Sequence, residues 1–108
     1  MATRGNFSIE TERDGTGKIR LTPAGELDIA TAPMLEQALR EQSTNGSPIL
    51  LDLSQLSFLD STGLHLLVQM RRDADERGWT LEITRPVGEA SRVIEVTRMA
   101  RVLRLADS

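Results

Sequence analysis

The sequence predicts an α/β fold: a small mixed β-sheet of four to five strands with about three α-helices. Three observations predict it. Two alternating stretches near the N-terminus flank a turn signal, a short aliphatic segment sits between breakers, and apolar residues elsewhere recur at helical spacing between strand-like pieces. At 108 residues the chain is read as one domain, 1–108, with its core at about 7–105.

The first residues are small and polar and read as a frayed end. Phe7, Ile9 and Thr11 then alternate with Ser8 and Glu10, the period of a half-buried strand. Asp14-Gly15-Thr16-Gly17 marks a turn, and Ile19 and Leu21 resume the alternation, which gives a hairpin running to about Gly25. Thr31 is the predicted N-cap of a first helix, with Pro33 in its first turn and Met34, Leu35, Ala38 and Leu39 inward. Asn45-Gly46-Ser47-Pro48 ends it.

Ile49-Leu50-Leu51-Asp52-Leu53 reads as a buried central strand, and Ser54–Leu59 as a loop. Asp60-Ser61-Thr62-Gly63 opens a second helix through Arg77, stopped by Gly78. Leu64, Leu67, Val68, Met70 and Ala74 form its apolar side; Arg71, Arg72, Asp73, Asp75 and Glu76 form its wet side. Trp79–Thr84 alternates as a strand. Pro86 leads into a third helix over about Gly88–Met99 with Ala90, Val93, Ile94 and Val96 inward, and Val102, Leu103 and Leu105 form a last edge strand. Strand–helix–strand crossovers of this length imply parallel pairing.

Composition excludes several functions. Thirteen Lys and Arg against 16 Asp and Glu give a net charge of −3, so no basic field is available for wrapping nucleic acid. Without cysteine there are no disulfides, thiolate metal sites or cysteine nucleophiles. The longest apolar runs, Ile49–Leu51 among them, fall far short of a bilayer span, and MATRGNFSIE lacks the apolar stretch of a signal peptide. The expectation is a cytoplasmic protein without a membrane segment.

Candidate sites differ in specificity. Gly15-Thr16-Gly17-Lys18 lacks the spacing of a phosphate-binding loop, since Glu12 stands near its first glycine position and Ile19 follows the lysine; it is a hairpin turn. His65, the single histidine, lies four residues after Ser61. That spacing seldom gives nucleophile–base geometry, and no G-x-S-x-G elbow surrounds Ser61, so His65 reads as a solvated or interface-facing residue. One histidine among scattered carboxylates is no metal site. Asn6-Phe7-Ser8 has glycosylation spacing that is meaningless without export. Trp79 and Phe58 read as packing residues. Arg92, Arg98, Arg101 and Arg104, interleaved with Glu89, Glu95 and Asp107, read as a solvated face.

Asp60-Ser61-Thr62-Gly63 is the informative motif. Asp60 can cap the helix and leave Ser61 in its first turn, where free N–H groups and the positive dipole end collect. A phosphate on that hydroxyl would add roughly −1.5 to −2 charge against those donors. On spacing alone a plain capping run is the better explanation of the motif, and the nearby Leu56, Phe58, Leu59 and Leu64 tip the balance only slightly, toward an apolar docking surface. Gly63 leaves room for close approach of another backbone.

Two segments together resemble the signature stretches of the STAS domain: Gly25-Glu26-Leu27-Asp28-Ile29-Ala30-Thr31-Ala32-Pro33, and Leu51 to Leu64 with Asp60-Ser61-Thr62-Gly63 at its end. The nearest resemblance is to the bacterial anti-sigma factor antagonists, over about Phe7–Leu105. It implies that Ser61 is the phosphorylation site, with Asp60 supporting it, Thr62 a second hydroxyl, and Asp28 at the same end of the sheet; Asp28, Asp60, Ser61, Thr62 and Gly63 would form the partner-binding surface. Thr97-Arg98-Met99 departs from the Thr-Gly-Leu common in relatives.

The resemblance also implies a mechanism. The unmodified domain binds an anti-sigma factor serine kinase and frees the sigma factor; that kinase phosphorylates Ser61 with its own ATP and Mg²⁺, and a PP2C-type phosphatase reverses it. The chain would be substrate and ligand, holding no cofactor and catalysing nothing, as a monomer or a weak homodimer. Two rivals stand beside this. One is a non-catalytic STAS subunit of a lipid-transport ABC complex or of a stress-sensing assembly; the other is a small hydrolase using Ser61 and His65.

Overall fold

In the computed structural model, which describes residues 2–106, strands and helices follow in the order β1 (Ala2–Arg4), β2 (Phe7–Arg13), β3 (Ile19–Leu27), α1 (Ala32–Thr44), β4 (Ile49–Leu51), β5 (Leu56–Leu59), α2 (Ser61–Arg77), β6 (Leu81–Ile83), α3 (Gly88–Thr97) and α4 (Ala100–Leu103). The main sheet runs β1-β2-β3-β4-β6, and β5 adds to the far end of β3. β2 pairs antiparallel with β1 on one side and β3 on the other, whereas β4 and β6 continue parallel to β3.

The predicted α/β class stands, and its core follows from the register. Ile19, Ile49 and Leu81 form one cross-strand row and Leu21, Leu51 and Ile83 the next, so three parallel strands stack aliphatic side chains in layers. All six are buried. Leu35 and Leu39 of α1 and Leu67 and Met70 of α2 close over them with no exposure. The two helices also pack on each other, while α4 rests on α2 and α3 on β5.

Several expectations change. Ala2–Arg4 is not frayed: it pairs with Phe7–Ile9 as β1, the terminal strand of the sheet. Thr11 is exposed beyond the covered part of the sheet. Leu56–Leu59 is a strand, not a loop. It pairs parallel with Gly25–Leu27 across a register shift between Gly25 and Glu26. Gly25 sits there at φ 106°, and a Cβ on it would lie 2.3 Å from the Asn6 carbonyl oxygen, a position only glycine fits.

The third helix is shorter than expected and leaves Val96 in solvent, 75% exposed. The expected terminal edge strand is the helix α4 instead. Leu103 is fully buried there, whereas Val102 points outward, and only Ala106 bridges to Thr84. Arg71, expected on the wet side of α2, is 6% exposed. Its Nε donates to the Leu103 carbonyl and its Nη1 to the Leu81 carbonyl, both at 3.0 Å. Burial, with Arg104 nearby, lowers the pKa of this guanidinium, and Asp75 offsets part of that. A buried cation served only by backbone acceptors clamps α2 to β6 and α4. Trp79 packs as expected, its Nε1 donating to Asp73 at 2.8 Å. The arginines of the C-terminal stretch are exposed, with Arg92 facing Glu89 and Arg104 facing Asp75; Asp107 lies outside the described residues.

Asp52 anchors the open side of the sheet. Its carboxylate accepts from the Arg20 guanidinium, from the Ser54 N–H at 2.9 Å and from the Thr84 hydroxyl at 3.3 Å. Burial, the largest influence, pushes this carboxyl up; Arg20 and Ser54 outweigh it and hold it at about 2, below the ordinary 3.8. The depressed folded-state value gives a stabilisation that is complete above about pH 4 and fades as pH falls toward 2. Asp52→Asn should therefore cost about 1–2 kcal/mol at neutral pH, allowing for screening at the half-exposed Arg20, and should flatten the loss of stability between pH 4 and 2 in urea titrations. A second expectation concerns Arg98, which ends α3 at φ 59°. Arg98→Gly should remove the left-handed strain and raise stability by about 0.5–1 kcal/mol, read as a melting temperature higher by a few degrees.

Candidate functional site

Two strands deliver the site to one end of the sheet. Leu27 of β3 pairs with Leu59 of β5, so the residues that follow them, Asp28 and Asp60, leave the sheet side by side. The Asp60 N–H donates to the Leu27 carbonyl at 3.2 Å, which fixes one turn against the other.

After β3 the chain folds on the Asp28 side chain. Oδ1 accepts from the Ala30 N–H at 2.9 Å and the Thr31 N–H at 3.1 Å. In return the Thr31 hydroxyl accepts from the Asp28 N–H and donates to the Glu26 carbonyl. Thr31 occupies the predicted N-cap position, yet its hydroxyl makes no capping bond to α1; it is used to lock the loop behind it. Asp28 is half-buried and its carboxylate is committed to that loop. What the loop presents to solvent is Ile29, 75% exposed.

After β5 the predicted cap forms. Asp60 is extended at φ −100°, and its Oδ1 accepts from the Gly63 N–H at 2.8 Å. Of the four N–H groups at this helix start, Asp60 and Gly63 are thereby satisfied, while those of Ser61 and Thr62 have no hydrogen-bond partner among the described residues. Ser61 is exposed and Thr62 half-buried. Gly63 is buried, and the backbone that approaches it belongs to this chain: a Cβ there would stand 2.7 Å from the Leu27 carbonyl oxygen and 2.7 Å from a Leu59 methyl. Its role is to let α2 start tightly against β3.

The exposed side of α2 lies between two shallow grooves. One, of about 540 Å³, runs past Ser61, Leu64, His65, Val68 and Arg72 to Met99. The other, of about 270 Å³, lies toward α1 and is lined by Ile29, Pro33, Glu36, Thr62 and His65. Ser61 and His65 share the first, but no hydrogen bond joins them and no acid orients the imidazole among the described residues, which leaves the hydrolase reading without its triad. The described residues hold no cluster of three or more His, Asp or Glu side chains able to bind a metal, and no helix long and apolar enough to cross a membrane. Phe58, expected in the core, is 41% exposed on β5 opposite Glu26. Of Leu56, Phe58, Leu59 and Leu64, which the sequence weakly offers as an apolar surface, Phe58 alone is exposed and the other three are buried in the core; Ile29 was not singled out, because an isolated apolar residue beside a signature motif reads as core.

Residues 10–105 match the family model described as "Mlab, STAS domain". The chain belongs to the STAS domain family. It is similar, at 31% identity over 94% of its length and 90% of the relative's, to the anti-sigma-B factor antagonist of Listeria monocytogenes. Among solved structures it resembles an anti-sigma factor antagonist from Mycobacterium paratuberculosis, with a TM-score of 0.74, 28% identity, and coverage of 94% of this chain and 86% of that one. SpoIIAA of Bacillus in its phosphorylated form shares the fold at a TM-score of 0.67 and 17% identity, over 94% and 91% of the two chains.

In this STAS domain the Gly63 contact makes the position of the helix start testable. Gly63→Ala should gain helix propensity yet lose more through the clash with Leu27, a net cost of about 1–3 kcal/mol in urea unfolding. A neutral or stabilising result would mean that β3 does not hold the start of α2.

Proposed function

We propose that this STAS domain is an anti-sigma factor antagonist that docks on an anti-sigma factor kinase through the end of the sheet carrying Asp28, Asp60, Ser61 and Thr62, and that phosphorylation of Ser61 releases it. The observation that carries the reading is the helix start: an exposed hydroxyl next to two unpartnered N–H groups. A phosphoryl group there would find donors already aimed at it, so modification need not unfold the helix. The exposed Ile29 and Phe58 near the same turns supply the apolar contact a partner would cover.

The physics of release is electrostatic. A standard interface buries roughly 800 Å² per partner. Asp28, Asp60, Glu26 and Glu36 already make this end anionic, so the partner surface that fits it is cationic or neutral. Inserting a further dianion without matched cations leaves a charge desolvated and unpaired. Losses of about 2–5 kcal/mol follow from such disruptions, a thirty-fold to several-thousand-fold weaker complex. In this scheme the chain is substrate and ligand while a kinase and a PP2C-type phosphatase act on it. Antagonist relatives at 31% and 29% identity favour it over the lipid-transport subunit.

Incubation with candidate anti-sigma kinases and ATP, followed by mass spectrometry, should place one phosphate on Ser61. Ser61→Ala should bind the kinase constitutively, and Ser61→Asp should bind at least thirty-fold more weakly, by calorimetry. If both variants bind like the unmodified chain, the switch is wrong.

A further inference from the structure

We propose that His65 is the built-in counter-cation of a phosphate on Ser61, so that the modified site shows a partner less net charge than the phosphate alone would. This rests on the reading of Ser61 as phosphoacceptor and adds to it a residue with a defined electrostatic role. The two positions are four apart on α2, which brings their Cβ atoms to roughly 5–6 Å. Helical side chains lean toward the N-terminus, so the imidazole reaches back over the turn that bears Ser61. Both residues are exposed and line the same groove. Among the described residues the imidazole makes no hydrogen bond or ion pair, and nothing has to be broken before it can meet a phosphate.

The charged surroundings single out His65. Across the second groove, Glu36 of α1 faces it, but the Glu36 carboxylate already accepts from Arg40 Nε at 2.9 Å. Arg72 lines the far end of the first groove, eleven residues and about 16 Å along the helix from Ser61, beyond reach of the phosphate. The α3–α4 junction contributes Met99 and the β3–α1 loop contributes Ile29, neither charged. Asp60 holds the Gly63 N–H. His65 is thus the cation within one turn of the modified hydroxyl on this face.

A phosphate monoester carries roughly −1.5 to −2 charge near neutrality. A cation one helical turn away favours its dianion over its monoanion, because the attraction is greatest once the second proton has left. The modified site then shows a partner less net charge than the phosphate alone would.

The test installs phosphoserine at position 61 during translation and follows the phosphate by ³¹P NMR between pH 4.5 and 8.5 in low salt. The second proton of the phosphate should leave at a pH lower by about 0.5–1 unit in the chain with His65 than in the His65→Gln variant. Arg72→Gln should leave the midpoint unchanged, and amide spectra of the exposed-site variants should show the native fold. Equal midpoints with and without His65 would overturn the proposal, as would an equal displacement in Arg72→Gln. Because the phosphate is installed without a kinase, failure of a kinase to modify Ser61 would count against the switch alone, and this measurement would still stand.

Discussion

The site depends on the short parallel pairing of β5 with the end of β3. Without it Asp28 and Asp60 would leave the sheet at unrelated places. With it, Leu27 sets both turns: its carbonyl receives the Asp60 N–H and its bulk excludes any side chain at position 63. The geometry of an exposed serine is thereby fixed by a residue that is itself fully buried. Packing in the interior resists displacement far more than a surface loop does, so the hydroxyl is held on a rigid base.

The two aspartates act alike. Each folds the chain locally by accepting backbone N–H groups, and each keeps the negative charge that makes this end of the sheet anionic. They also set its shape: the first pushes Ile29 outward, the second leaves two N–H groups of α2 without a partner among the described residues. A polar signature surrounding an apolar, exposed patch is consistent with a surface that is soluble alone and able to be covered.

Much of this was legible in the sequence, for identifiable reasons. Strict alternation around Asp14–Gly17 revealed the hairpin, and aspartate followed three residues later by glycine revealed the capped start of α2. What escaped notice broke the simple periods. In Leu56–Leu59 two successive residues are exposed, so no alternation marks a strand, and its pairing with β3 needs the irregularity after Gly25. Leu103 and its neighbours look like a strand by composition, yet burial of Leu103 and the hold of Arg71 on its carbonyl favour a helical turn. Arg71 itself sits among charged residues, and nothing local distinguishes a guanidinium that will be buried. Thr31 was placed correctly but its bond was not, because the competing acceptor, the Glu26 carbonyl, lies back along the chain.

The clamp formed by Arg71 has a consequence for how the chain acquires its shape during synthesis. Its guanidinium needs the carbonyls of Leu81 and Leu103, ten and 32 residues downstream. While the nascent polypeptide is still emerging from the ribosome, α2 can coil, but its inner face keeps an unmatched cation until Leu103 is free of the exit tunnel. Final docking of that helix, and with it the placement of Ser61, thus waits until the chain through Leu103 has emerged.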